Sequence, residues 1–207
     1  MIIGLSFLIA GALLPAEAAA PSPADLSKAE RETVSRIEAY LNRLETMQSR
    51  FLQISSDGAY SEGDIFLSRP GKMRIEYDPP MPVLIIADGR QLIYFDRKLN
   101  QVSYIGLDSS PAGILLGENV SFLSGDLTIT RFERGANSVR LSLVRNEDPQ
   151  EGELTLVFSD NPLALKKWIV TDGQGIVTTI TLMGVRFGAP LNPELFHFKR
   201  PDVRDDS

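Results

Sequence analysis

His197 is the only imidazole in 207 residues, and there is no cysteine. It stands between Phe196 and Phe198, where strand alternation puts both rings on one face and the imidazole on the other. This inventory excludes a multi-histidine metal site, thiolate ligands, a cysteine nucleophile and disulfides. A serine nucleophile would need His197 and a carboxylate beside it, and no serine sits in Gly-x-Ser-x-Gly. His197 therefore reads as a surface or rim residue. Gly173-Gln174-Gly175 lacks the third glycine and the following helix of a phosphate-binding loop. The 27 acidic residues leave open a carboxylate pair for glycoside hydrolysis, but they fall mostly in turns and nothing singles out a pair. No spacing supports an oxygen-ligated metal, and no cofactor is expected. With 21 basic residues and a net charge of −6, a polyanion such as nucleic acid is a disfavoured partner. Enzymatic chemistry is thus weakly supported, and binding through apolar surface is what remains.

The elements that would form such a surface can be read along the chain. Residues 2–14 are an apolar run, followed by Pro15 and Ala16-Glu17-Ala18-Ala19-Ala20. The run is short of the ~20 residues of a membrane span and, with Ala-x-Ala after it, has the pattern of a secretory signal peptide over 1–20. No Lys or Arg precedes it. No cysteine stands at the cleavage site, so lipid modification of the chain itself is excluded. Removing 1–20 takes away one charged residue, Glu17, and leaves a single domain of 21–207 with net charge −5. Ser27-x-x-Glu30 fits a capping box, and Val34, Ile37, Leu41 and Leu44 place one apolar stripe on a helix over 28–47.

From Gln48 to about Tyr104 the pattern is of short strands. Met73, Ile75 and Tyr77 alternate with Lys72, Arg74 and Glu76. Asp57-Gly58 and Asp88-Gly89 are hairpin turns. Val83-Leu84-Ile85-Ile86 and Leu92-Ile93-Tyr94-Phe95 are apolar on both faces, which means covered on both sides or bearing a binding surface. Two short helical turns are expected at 111–117 and 119–123. Strands then resume over 126–134, 138–145, 152–159, 165–171 and 176–186. The fold class is mainly β (α+β): a strongly curved antiparallel sheet, an open half-barrel of about 11 strands. The long N-terminal helix and the short helices would lie over its concave face. Composition leaves two readings of that interior, an apolar cavity for acyl chains or a fully packed core.

Gly63 to Tyr77, Gly-Asp-Ile-Phe-Leu-Ser-Arg-Pro-Gly-Lys-Met-Arg-Ile-Glu-Tyr, resembles the periplasmic outer-membrane lipoprotein carrier proteins, the LolA family. The likeness continues through Pro79-Pro80, Leu84 to Gly89 and Leu92 to Asp96. It returns in Asp172-x-x-Gly175-x-x-Thr178 and Pro193-x-Leu195-Phe196-x-Phe198-x-x-Pro201. The resemblance implies an eleven-strand half-open barrel under a helical lid. It implies a monomeric soluble shuttle that takes acylated lipoproteins from an inner-membrane ABC transporter and passes them to an outer-membrane acceptor. Arg69 matches the arginine that bonds to the lid and favours the closed, empty state. Met73 falls where the family often carries an aromatic facing the cavity, and Ile114, Leu115 and Leu116 correspond by position and character to the lid's apolar face.

Three other readings compete. The lipid-anchored acceptor of related fold is opposed by the missing cysteine. A periplasmic sensor of this fold, binding lipid or peptide to regulate a membrane-bound signalling protein, usually carries a further domain. A glycan hydrolase would need two carboxylates converging in a cleft.

Overall fold

The computed structural model describes residues 22–200; the leader expected at 1–20 and the polar tail from Asp202 lie outside them. The first six strands are β1 (Thr46–Ser55), β2 (Tyr60–Ser68), β3 (Lys72–Tyr77), β4 (Val83–Asp88), β5 (Gln91–Asp96) and β6 (Gln101–Gly106). Five more follow: β7 (Leu127–Arg134), β8 (Ser138–Arg145), β9 (Gly152–Asp160), β10 (Leu163–Asp172) and β11 (Val177–Phe187). All eleven belong to one antiparallel sheet of order β6-β5-β4-β3-β2-β1-β11-β10-β9-β8-β7. Two meanders are joined by the β1–β11 pair, with Phe51 opposite Leu182. β6 and β7 do not pair, so the sheet stays open. This is the expected mainly β, half-open architecture.

Side-chain alternation decides which face turns inward. In β3, Met73, Ile75 and Tyr77 are buried and the residues between them are half-buried. Ile65 and Met73 from one wing share a continuous core with Leu141, Leu156 and Phe158 from the other. A sheet whose two wings share one core must bend around it.

Helix α1 (Lys28–Arg43) fills part of that bend, burying Val34, Ile37 and Leu41. Its start is the expected capping box: the Ser27 amide donates to Glu30 Oε2 at 2.7 Å, and the Glu30 amide to Ser27 Oγ at 3.4 Å. Its end is earlier than expected. The apolar spacing runs on to Leu44, which is buried, but Leu44 is extended (φ −74, ψ 103). Two residues later β1 begins, where Thr46 pairs with Ser68 and Met47 with Phe187. Ladder bonds on both sides replace the helical ones there.

Helix α2 (Pro111–Leu116) is the first of the two expected turns, with Ser110 as its N-cap. The second, at 119–123, is not helical. Side chains of α1 satisfy its backbone instead. Asn42 accepts from the Val120 amide at 2.8 Å and donates to the Val120 carbonyl at 2.9 Å, and Glu38 accepts from the amides of Phe122 and Leu123. Val120 and Phe122 are thereby buried against the core.

The doubly apolar β4 and β5 are both covered on the convex side, while on the concave side Ile85 and Leu92 border an interior cavity and Tyr94 is exposed. Ile85 and Leu92 pack with the main core, whereas Leu84, Ile86, Ile93 and Phe95 form a separate cluster on the convex face. The C-terminal segment covers that cluster: Phe198 lies edge-on to Phe95, ring centroids 5.4 Å apart. Ahead of it, the 3-10 turn Pro193–Phe196 buries Phe196 and leaves His197 exposed, its Nδ1 3.2 Å from a Glu194 carboxylate oxygen.

Gly63 marks the tightest point of the sheet. Phe51, Gly63 and Tyr77 are in register on β1, β2 and β3, and the two rings meet edge-to-face across the glycine, centroids 5.2 Å apart. A Cβ at Gly63 would lie 2.8 Å from the Phe51 ring and 2.1 Å from the Glu76 carbonyl oxygen. Gly63→Ala is therefore expected to destabilise the fold by about 1–3 kcal/mol through overpacking, read as a lower urea midpoint at unchanged slope.

Candidate functional site

Helix α2 bridges the two wings over the concave face and is tied to both through its own backbone. From the turn between β2 and β3, Arg69 Nη2 donates to the Gly117 carbonyl, and the Gly71 amide donates to the Leu116 carbonyl at 2.9 Å. From the other wing, Arg145 Nη2 of β8 donates to the Ser110 carbonyl at 2.8 Å. The last carbonyls of a helix have no partner within it, so this chain supplies partners from the sheet. The Arg69 backbone is itself held, its amide donating to Glu45 O at 2.7 Å.

The clamp is incomplete in one respect. Arg69 Nε is buried and has no partner, and burial pushes the guanidinium pKa down, although an arginine remains charged in a protein. A half-buried cation bonded to a neutral carbonyl is only partly compensated for the water it lost. Rehydration on opening offsets some of the bond given up.

Beneath α2 lies a cavity of about 360 Å³, within the ~300–1,000 Å³ of small-molecule pockets. Met73, Ile75 and Ile85 line it from one wing, Trp168 and Ile180 from the other, and Leu115 from above. Its few polar groups are largely paired: Tyr77 Oη donates to Gln53 Oε1 at 2.6 Å. A second chamber of about 320 Å³, lined by Ile105, Ile114 and Leu154, lies beside it. Leu92, Pro111 and Val170 border both, so the first turn of α2 partitions a single apolar trough.

The sequence-derived candidates are distributed over this arrangement. Arg69 reaches α2, and Met73 lines the main cavity. Leu115 faces the main cavity, Ile114 the side chamber, and Leu116 is fully buried, with its carbonyl taken by Gly71. Successive helical residues step by about 100°, so these three cannot share one face. Arg145, Gly71 and Trp168 escaped the sequence reading. A strand-end arginine is ordinary, and the Gly71 contact is made by a backbone amide whose side-chain type carries no signal.

The acidic residues near the trough are Asp148, Glu151, Glu153 and Asp172. Asp172 Oδ1 accepts from the amides of Gln174 and Ile176, Asp148 Oδ1 from that of Gln150, and Glu153 from Thr130 Oγ1. Among the described residues no carboxylate bonds to another, and no group of three or more acidic or imidazole side chains is placed to hold a metal. No helix among the described residues is long and apolar enough to cross a membrane.

Tyr77 reports on the dryness of the cavity. Burial foremost, and then the neighbouring Tyr94, push its phenol up to about 12. The folded state keeps this proton after the unfolded chain has lost it, so the stability Tyr77 contributes is complete below about pH 10 and lost as pH rises through about 12. An absorbance titration at 295 nm is expected to show an ionisation near pH 12 that Tyr77→Phe removes; a Tyr77 phenol ionising at pH 10 would mean a wet cavity.

The match to known proteins agrees with this geometry. The family model described as "Outer membrane lipoprotein carrier protein LolA" matches residues 42–199. An outer-membrane lipoprotein carrier protein of Azotobacter vinelandii is 31% identical over 93% of this chain and 95% of its own length. One from Nitrosomonas europaea is 28% identical over 83% of this chain and 87% of its own. In fold alone, the chain is similar to the crystal structure of a DUF1329 family protein from Desulfovibrio piger, with TM-score 0.50 and 12% identity over 84% of this chain and 98% of that one. From the family-model match over residues 42–199 and the 31% identity to the Azotobacter vinelandii relative, the chain belongs to the LolA family of outer-membrane lipoprotein carrier proteins, which are carriers rather than enzymes.

Proposed function

We propose that this chain is a periplasmic carrier that hides the acyl chains of lipoproteins in the trough under α2. It receives them from an inner-membrane ABC transporter and passes them to an outer-membrane acceptor. In this reading residues 1–20 are a signal peptide that is removed, and 21–207 form one carrier domain that works as a monomer. The observation that carries the reading is an apolar cavity roofed by a helix held through three main-chain carbonyls, those of Ser110, Leu116 and Gly117. Arg69 is the release clamp, Met73 and Leu115 contact the acyl chain, and Ile114 and Leu116 seat the roof. Methionine suits such a wall because its flexible thioether adapts to variable shapes.

Magnitudes favour a roof that opens on loading. Two guanidinium-to-carbonyl bonds at about 1.5–3 kcal/mol each and one amide bond at about 0.5–1.5 kcal/mol oppose about 0.8 kcal/mol for each methylene buried. Roughly nine methylenes offset the loss of all three bonds even at the upper end of that range, and an acyl chain carries more than that. A ligand shifts such an equilibrium only through its differential affinity for the two states. The closed, empty form must therefore stay stable enough to drive release.

Purified mature protein added to spheroplasts should recover newly made lipoproteins in the soluble fraction, bound to it. Binding of a general apolar probe without any lipoprotein release would favour the sensor reading. Arg69→Leu removes the clamp and so weakens the closed state. It should load normally but transfer to a purified acceptor about tenfold more slowly, the equivalent of roughly 1.4 kcal/mol. Transfer at the unmodified rate would overturn this role for Arg69.

A further inference from the structure

The two edges of the open sheet are finished differently. β7 is protected: a bulge lies between Ile129 and Arg131, the strand carries Arg131, Glu133 and Arg134, and the Ala24 amide donates to the Ile129 carbonyl at 2.8 Å. Charges, bulges and covering segments are the usual means of blocking strand addition. Among the described residues β6 has no charge and no bulge, and the C-terminal segment reaches only its start, where Arg200 bonds the Asn100 carbonyl and Phe198 shares the convex cluster with Val102. The strand's sequence, Gln-Val-Ser-Tyr-Ile-Gly, holds no proline either, and its pairing with β5 is regular along its whole length.

The ladder fixes which backbone groups of β6 face outward. The Leu107 amide donates to the Arg90 carbonyl at 3.0 Å, just beyond the pair Gln91–Gly106. In an antiparallel pair, residues alternate between bonding the neighbouring strand and pointing away from it. Gln101, Ser103 and Ile105 thus bond β5, while Val102, Tyr104 and Gly106 turn their amides and carbonyls outward. Among the described residues only the Gly106 carbonyl has a partner there, Ser109 Oγ at 3.0 Å. Tyr104 and Ile105 beside this edge are 59% and 47% exposed.

The edge also leads to the site. Ile105 lines the side chamber together with Ile114 and Pro111, so the C-terminal end of β6 opens at the mouth of the trough. We propose that β6 pairs by strand addition with the extended polypeptide segment adjoining the acylated residue of the cargo. This rests on, and deepens, the carrier reading. Tethering favours that occupant: with the acyl group in the trough, the attached segment reaches the edge at an effective concentration in the mM range, which no free strand matches. The pairing runs through main-chain bonds and therefore tolerates many cargo sequences.

The test uses an acyl-probe displacement assay with three ligands: a palmitoylated hexapeptide of β-forming residues, the same lipopeptide N-methylated at alternate residues, and palmitamide. The plain lipopeptide is expected to bind on the order of tenfold more tightly than palmitamide. N-methylation should abolish that gain on the unmodified protein. Tyr104→Pro, which removes an outward amide and leaves the β5 ladder intact, should abolish it as well, while Tyr104→Ala keeps it. A lipopeptide no tighter than palmitamide, or a gain that survives N-methylation, overturns strand addition and leaves the carrier reading standing. Failure to bind any of the three overturns the carrier reading itself. Two further outcomes also overturn the proposal. A concentration-dependent dimer in sedimentation that Tyr104→Pro abolishes assigns the edge to a second copy. A gain seen only after truncation beyond Arg200 assigns it to the chain's own tail.

Discussion

An eleven-strand sheet that bends without closing leaves an apolar concave face in need of cover, and everything else in this structure follows from how that cover is attached. Helix α1 covers part of it permanently, with Val34, Ile37 and Leu41 fully buried and the loop after α2 clasped by Asn42 and Glu38. Helix α2 covers the rest on different terms. It is short, its apolar side chains face a cavity as well as a core, and it is held to both wings by bonds to its backbone. A lid fixed by packing would need its side chains pulled from a core to open, at about 1.5–3 kcal/mol for each large apolar residue. Ile114, Leu115 and Leu116 of α2 are themselves buried in the core, so opening costs their packing as well as the carbonyl bonds, and an entering acyl chain must replace those apolar contacts.

The convex face shows the opposite solution. There Leu84, Ile86, Ile93 and Phe95 are covered by the C-terminal segment, and polar contacts reinforce the cover. Arg74 donates to the Leu195 carbonyl at 3.2 Å and bonds Glu76, which also meets Arg97, while Arg200 donates to the Asn100 carbonyl at 2.7 Å. Strands β4 and β5 are consequently apolar on both sides for two different reasons, a fixed outer cover and a trough within.

Much of this was legible in the sequence. Period-two alternation in Met73, Ile75 and Tyr77, the Asp-Gly turns and the Ser27–Glu30 box are local signals, and local signals were sufficient for strand count, turn positions and the start of α1. What failed was decided by partners distant in sequence. Leu44 continues a helical spacing but leaves the helix because β2 and β11 bond the chain from Thr46 onward. Residues 119–123 have apolar spacing for a helical turn but take their bonds from α1, some 80 positions earlier. The site was legible to the same degree. Arg69, Met73 and Leu115 could be singled out by resemblance, whereas the Arg145 and Gly71 anchors exist only because the sheet brings opposite wings to the two ends of one short helix.

The chemical nature of these anchors bears on how the roof works. Carboxylates are available in this chain, and Arg50 on the outer surface lies within 3.5 Å of Glu62, Asp64 and Asp78. Yet both arginines at the roof bond neutral carbonyls. Breaking a buried ion pair by removing one partner costs about 3–5 kcal/mol, enough to cancel the burial of several methylenes and hold the trough shut against its ligand. A fully exposed pair contributes about 0–1 kcal/mol and is screened by salt, too little to favour the empty state. A half-buried guanidinium on a carbonyl falls between these limits. Its strength follows from the burial of Arg69 and from the neutral acceptor, so opening does not depend on the protonation of a carboxylate partner. A roof balanced in this way can yield to an acyl chain and still close behind it.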